Sequence, residues 1–159
     1  MQNDATPLHI LPYRSGDRKH IRSILTSIGW DEHYIRAFEQ AAAHFAQSDD
    51  AAVFMAQTHA GTVGFVFVEY RAWNRLAQIQ GLAVELACQR RGVATALVTQ
   101  AEDFARRRAA RGIYVDTPTT NERGRRFYEA IGYRLGYLMP RYYADELDGV
   151  TYQKFFAVT

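Results

Sequence analysis

Three observations predict a mixed α/β (α+β) fold. Two β-rich segments are joined by a very short turn, a strand–loop–helix–strand unit occupies the middle of the chain, and amphipathic helical runs lie on both sides of the hairpin. Strands joined by a tight turn must pair antiparallel, whereas a crossover through a helix makes its two strands parallel neighbours with right-handed connection. A central sheet of about six to seven strands is expected, mostly antiparallel with one parallel pair and flanked by about four helices. With 159 residues, 48% of them apolar and 23% charged, residues 1–159 are read as one domain able to fill a core without metal or disulfide staples.

The elements follow in order. Leu8 to Tyr13 is a short apolar run before Ser15-Gly16-Asp17, and Ile21, Ile24, Leu25 and Ile28 then recur at helical spacing up to Gly29. Asp31 is placed to cap a second helix with an apolar stripe of Tyr34, Ile35, Phe38, Ala41, Ala42 and Phe45. Ala52 to Thr58 and Thr62 to Tyr70 form the hairpin around His59-Ala60-Gly61, and Leu76 to Val84 is a third strand. Within that strand Gly81 marks a bulge or the close approach of another group. A helix from Thr95 to Arg111 places Val93, Leu97, Ala101, Phe104 and Ala105 on one face, leaves Glu102 off it, and stops at Gly112. Ile113 to Thr117 is a strand, a helix runs from about Glu122 to Ile131 with Gly132 as its stop, and Tyr133 to Met139 and Val150 to Val158 are the last strands. Between them Arg141 to Gly149 reads as a polar loop.

Several function classes are excluded. Nineteen basic against seventeen acidic residues leave a net charge of +2, too small for a nucleic-acid binder. The run Arg106-Arg107-Arg108 has no interleaved aromatics and reads as a solvated helix end matched to the dipole. No apolar run is long enough to span a bilayer, and Met1 to Pro7 lacks the pattern of a leader, so a cytoplasmic location without membrane association is expected. The single cysteine, Cys88, forbids an internal disulfide, and with no histidine near it in sequence a small apolar filler is favoured over a nucleophile. His9, His20, His33, His44 and His59 show no metal-ligand spacing, and no metal is expected.

The stretch from Gly81 to Arg111 carries the chemistry. A strand feeds a polar, glycine-containing loop from which a helix opens directly, so unpaired backbone N–H groups and the positive end of a helix dipole converge on one spot. A phosphate is expected there. The absence of a Gly-Lys-Ser/Thr run removes the mononucleotide form of this cradle, and the triple-glycine spacing of a dinucleotide fold is missing as well.

Gln89-Arg90-Arg91-Gly92-Val93-Ala94 after Leu82-Ala83-Val84 resembles the acyl-coenzyme A pyrophosphate loop of the GNAT N-acetyltransferase superfamily, and Asn121 to Tyr133 resembles the segment that follows the next strand in that family. The pattern is most similar to that of ribosomal-protein N-terminal acetyltransferases. The resemblance implies that the parallel pair is splayed at the middle of the sheet and that acetyl coenzyme A is the co-substrate. Amides of Gln89, Arg90, Arg91, Gly92, Val93, Ala94 and Thr95 would hold the pyrophosphate, with Arg90 and Arg91 either adding charge or pointing to water. The edge of Leu82, Ala83 and Val84 would pair with the pantetheine arm and offer an oxyanion donor. Asn121 would bond the pantetheine amides, cap its helix, or do both.

The same resemblance puts Tyr128 where the family keeps the tyrosine that donates to the coenzyme sulfur. Asp116, twelve positions ahead, stands where ribosomal-protein acetyltransferases carry a Glu, and its shorter side chain leaves both direct proton abstraction and a water relay open. Gln78 and Gln80 occupy places where other members carry an acid, and amides cannot act as bases; Glu69 is the remaining carboxylate. Tyr142 and Tyr143 resemble tyrosines that frame a peptide N-terminus in protein-acetylating relatives, while small-molecule enzymes also carry acids and aromatics there. The expected acceptor is therefore an amine on a small molecule or a peptide, with a homodimer allowed. The alternative reading is a GNAT-fold module that binds acyl coenzyme A as a catalytically weak sensor or scaffold.

Overall fold

The computed structural model describes residues 7–157. Met1 to Thr6, where the sequence lacks the pattern of a leader, and Val158 at the end of the last predicted strand lie outside the described residues. The elements are β1 (His9–Pro12), α1 (Arg18–Ser27), α2 (Glu32–Gln47), β2 (Ala51–Thr58), β3 (Gly61–Arg71), β4 (Leu76–Val84), α3 (Val93–Arg107), β5 (Gly112–Pro118), α4 (Glu122–Ala130), β6 (Arg134–Ala144) and β7 (Leu147–Phe155). They form a seven-stranded sheet in the order β1-β2-β3-β4-β5-β7-β6. Every pairing is antiparallel except β4 with β5, the pair joined through α3, as a helix crossover requires.

Helices cover both faces, so the central strands are apolar on both. Phe65 and Phe67 of β3 turn toward α1 and α2, where they meet Ile21, Leu25, Ile35 and Ala42. Val66 and Val68 turn toward α3 and α4, into a core shared with Leu97, Ala101, Ile113, Val115 and Tyr128. The two-residue side-chain period of a strand produces this division. Burying each of these phenylalanines removes enough apolar surface to stabilise the fold by about 2–3 kcal/mol.

The sheet is irregular at one place that decides the rest. Phe67 pairs with Gly81 but its neighbour Val68 pairs with Ile79, so Gln80 is an extra residue on β4. A Cβ on Gly81 would lie 2.7 Å from Phe38 Cε1 and 3.0 Å from Phe67 Cδ2; both expectations for this glycine, the bulge and the close approach, describe it. The parallel ladder between β4 and β5 ends at Ile79 and Val115. Beyond it β4 stays with β3 through Val84, while β5 stays with β7 through Pro118. The two central strands thus part into a V.

Some boundaries differ from expectation. Helix α3 starts two residues early and ends at Arg107, because Ala109 takes the left-handed conformation (φ 57°) and Ala110 N–H closes on Ala105 O at 3.0 Å. Gly112 is consequently no helix stop but a buried strand residue, whose Cβ would meet Lys154 O at 2.8 Å. Glu102, expected off the apolar face, is 6% exposed and pairs with Lys154 Nζ at 2.8 Å. Asp31 flanks α2 without a side-chain cap; its carbonyl accepts from Tyr34 and Ile35 N–H instead. Tyr34 is half exposed rather than core. The polar loop at Arg141 to Gly149 is a continuation of the β6–β7 hairpin, with Ala144 opposite Leu147 and only Asp145-Glu146 turning. Gly132 does stop α4, with φ 94° and a Schellman pair of bonds from Gly132 N–H to Glu129 O and from Tyr133 N–H to Tyr128 O.

Because the atom nearest a side chain at Gly112 is backbone, Gly112→Ala is expected to destabilise the protein by about 1–3 kcal/mol, read as a lower urea midpoint at unchanged slope.

Candidate active site

The V between β4 and β5 opens on the α3 side into a cleft of about 800 Å³. Its floor is the strand edge Leu82, Ala83 and Val84, left without a β5 partner by the bulge. One wall is the loop and first turn of α3, with Gln89, Arg90, Gly92, Val93, Ala94 and Thr95; the other is α4 with Asn121 and Tyr128. Ile28 and Trp30, from the α1–α2 connection, close one end. Of the residues assigned to cofactor binding, only Arg91 lies outside the lining, and it is exposed.

The loop is built to present N–H groups. Arg90 (φ 65°) and Gly92 (φ 81°) both adopt left-handed backbone, which turns successive amides to one side. Gly92 takes the N-cap place of α3, where no side chain caps the helix, and a Cβ there would meet nothing within 4 Å. A left-handed turn before the positive end of a fifteen-residue helix, with open space at Gly92, has the features that an anion site requires. A pyrophosphate fits it, and the unpaired strand edge beside it suits an amide-bearing arm.

Arg123 and Arg126 also line the cleft, a contribution that sequence reasoning missed. Arg123 Nη1 donates to Gln89 Oε1 at 2.9 Å, and Gln89 Nε2 donates to Val84 O at 3.1 Å, so α4, the loop and the strand edge are tied together. Their position in the first turns of α4, right after Asn121, was the available signal. Asn121 itself is a helix cap: Oδ1 accepts from Gly124 N–H at 3.1 Å, and Nδ2 donates to Thr117 Oγ1 at 2.9 Å. One amide hydrogen is left for a ligand. Cys88 is partly buried against the α3-side core, in keeping with the filler role.

Tyr128 is 6% exposed, held between Tyr152 (rings stacked, centroids 6.0 Å) and Tyr133 (5.8 Å). Among the described residues its hydroxyl has no hydrogen-bond partner, and it borders the cleft. Burial raises its pKa well above the ordinary tyrosine value, so it stays protonated at neutral pH.

Asp116 lies on the other face of the sheet. Ile113 and Val115 point into the α3-side core, so strand alternation sends Tyr114 and Asp116 the opposite way. Asp116 is the first β5 residue past the end of the β4–β5 ladder, at the apex of the V. Its Oδ2 accepts from Gln78 Nε2 at 2.9 Å and from Tyr142 OH at 3.4 Å. Burial raises its pKa, against the opposing effects of those two bonds and of Arg71. Tyr142 and Tyr143 meet edge to face at 4.9 Å and pack on Gly149, where a Cβ would come within 3.1 Å of both. Burial first, then Asp116, raises the pKa of Tyr143. Glu69 is paired with Arg71 Nη2 at 2.9 Å on the same face of the sheet. Among the described residues no cluster of metal-ligating side chains is found.

Residues 19–133 match the model of the acetyltransferase (GNAT) family. No curated protein sequence matches the chain. Among solved structures, a protein from Desulfovibrio desulfuricans assigned to the GNAT acetyltransferases superposes with TM-score 0.86 at 17% identity, over 95% of this chain and 100% of that one. The ribosomal-protein-S18-alanine N-acetyltransferase of Escherichia coli gives 0.79 at 16% identity, over 96% of each chain. A protein of Bacillus anthracis assigned as a streptothricin acetyltransferase, solved with acetyl coenzyme A, gives 0.67 at 22% identity, over 73% of this chain and 68% of that one. At these identities the likeness is one of fold.

Gly92→Glu would put a carboxylate into the anion site on a left-handed backbone. Acetyl coenzyme A affinity, measured by calorimetry, is expected to fall about a hundredfold or more, with unchanged affinity overturning the assignment of this loop.

Proposed function

The chain belongs to the acetyltransferase (GNAT) family and is an N-acetyltransferase, and from that premise we propose that it moves an acetyl group from acetyl coenzyme A to a primary amine by direct attack in a ternary complex. One observation carries the reading. The strands β4 and β5 part beside Asp116, with the cleft along the unpaired edge of β4 on one face of the sheet and the Asp116 carboxylate on the other, and we take the parting as the passage between them.

Bound in the cleft, acetyl coenzyme A supplies an acyl carbon open to attack and a thiolate leaving group. The loop amides and the α3 dipole take the pyrophosphate, Arg90, Arg123 and Arg126 add charge at the rim, and the edge Leu82 to Val84 aligns the pantetheine arm. Tyr128, firmly protonated, donates its O–H to the sulfur. Its raised pKa keeps the O–H in place to stabilise the developing thiolate by a hydrogen bond, and the coenzyme leaves as the thiolate. Asp116 takes the proton that an ammonium must lose before it can attack, directly or through one water.

Charge selects the acceptor. Arg71 balances Glu69, which leaves Asp116 as the carboxylate facing an incoming cation, and the rings of Tyr142 and Tyr143 beside it offer π faces to an ammonium. The acceptor is a primary amine on a small molecule or at a peptide terminus or lysine, and the cytoplasm is the setting we assign. No helix among the described residues is long and apolar enough to cross a membrane.

Tyr128→Phe is expected to lower kcat by about 10²-fold while leaving acetyl coenzyme A affinity intact, measured as amine-dependent thiol release across a panel of peptides and polyamines. Unchanged turnover would overturn the catalytic assignment of Tyr128, whereas no amine-dependent thiol release by the native protein would favour a module that only binds the coenzyme. Asp116 must be ionised to act, and its pKa is raised; native kcat/KM should therefore fall with decreasing pH, with a midpoint above the ordinary Asp value. Asp116→Asn should remove that acid limb together with about 10²-fold in rate.

A further inference from the structure

An amide cannot serve as a base, yet Gln78 is only 8% exposed on the face of the sheet that carries Asp116. In the parallel ladder it stands beside Tyr114, two residues before Asp116. Its Nε2 donates to Asp116 Oδ2 at 2.9 Å, and its Oε1 accepts from Tyr114 OH at 2.9 Å and from Gln80 Nε2 at 3.0 Å. Arg71 Nη1 donates to Tyr114 OH at 2.7 Å.

The direction of this chain follows from its first member. A guanidinium has only donors, so the Tyr114 oxygen must accept from Arg71 and send its own proton onward to an acceptor. The acceptor within reach is the Gln78 carbonyl. With Oε1 committed there and to Gln80, the amide can present only N–H to Asp116. Each link then polarises the next, from a cation at one end to a carboxylate at the other.

We infer that Gln78 is a positioning residue for Asp116: oriented by Arg71 through Tyr114, its amide holds Oδ2 of the ionised carboxylate and leaves Oδ1 for the incoming amine. The inference rests on the reading of Asp116 as the base. Oδ1 has no hydrogen-bond partner among the described residues. The charged and titratable groups around Asp116 and its partners are Glu69 and Arg71 on β3, Tyr114 on β5, and Tyr137, Tyr142 and Tyr143 on β6. Of these Arg71 and Tyr142, together with Gln78, favour the ionised form against burial. Loss of the Gln78 donor therefore moves the carboxylate pKa further up.

The test follows the Asp116 carboxyl carbon by 13C NMR during a pH titration of the intact protein, with Asp116→Asn identifying the resonance. Gln78→Met, near in shape but without polar atoms, is expected to raise the midpoint by about one pH unit and to move the acid limb of kcat/KM by the same amount, with acetyl coenzyme A affinity unchanged. Tyr114→Phe, which never touches Asp116 but frees the Gln78 carbonyl, is expected to shift both in the same direction by less, and it decides the matter if Gln78→Met fails to fold. A native midpoint in both variants, or in Tyr114→Phe alone if Gln78→Met does not fold, overturns the inference and leaves Asp116 as base untouched. If instead Asp116→Asn keeps the native rate and acid limb, the reading of Asp116 as base fails, and the catalytic meaning of Gln78 falls with it.

Discussion

A single extra residue in β4 governs this molecule. Two adjacent strands can share a ladder only while their backbones advance together, and the bulge at Gln80 bends β4 away from β5 just beyond Ile79. The bend needs glycine next to it, because Phe38 and Phe67 fill the space that a Cβ at position 81 would occupy. Parting two central strands is costly in an ordinary sheet, since their N–H and C=O groups lose partners in a half-buried place. Here the exposed edge of Leu82 to Val84 borders a cleft and can be satisfied by an amide-bearing ligand. The defect at Gln80 is what frees the edge that follows it.

The sheet also separates the two halves of the chemistry by sign. On the α3 side the groups lining the cleft are the loop, the start of α3 and the arginines Arg90, Arg123 and Arg126, the last of them paired with Glu122 at 3.6 Å, a setting with a cationic excess for phosphates. On the opposite side Glu69 and Arg71 neutralise each other, and Asp116 keeps its charge with neutral donors from Gln78 and Tyr142. In the proposed reaction an anionic co-substrate and a cationic acceptor each meet a complementary face, and the parting of β4 from β5 is where they would meet. Mixing these groups on one face would let the arginines pair with the carboxylate and extinguish both sites.

Legibility in the sequence followed how local each feature is. The cofactor side could be read because backbone conformation carries it: Gly92, the polar turn before it and the helix after it sit together in the chain, as do Asn121 and Tyr128. The hairpin, the crossover and even the bulge at Gly81 were legible for the same reason. The end of α3 was misplaced because Gly112 looked like a stop, whereas its smallness serves a close approach to Lys154 on a strand distant in sequence. The β6–β7 hairpin was shortened because the far half of β6 is exposed and runs into the polar stretch from Arg141, where no apolar face continues the strand pattern read at Tyr133 to Met139. Arg123 and Arg126 were overlooked because their relation to the cleft depends on where α4 docks. The role of Gln78 needs the cross-strand register with Tyr114, which no single stretch contains.

Burial tunes both proposed catalytic groups in the same direction, and that suffices to give them opposite duties. Desolvation raises the pKa of Tyr128 and of Asp116 alike, because each is charged only when deprotonated. For a phenol that starts near ten, the rise secures the proton across the neutral range, as a donor to sulfur requires. For a carboxylate that starts near four, the same rise improves a base that would otherwise be too weak, provided it stops short of neutral pH. Tyr128 has no hydrogen-bonding partner to limit its shift, whereas Asp116 has Gln78, Tyr142 and Arg71 to oppose the penalty. The polar chain on the acceptor face therefore sets an upper bound on the basicity that burial confers, and it explains why a buried glutamine is placed where related chemistry could have used another acid.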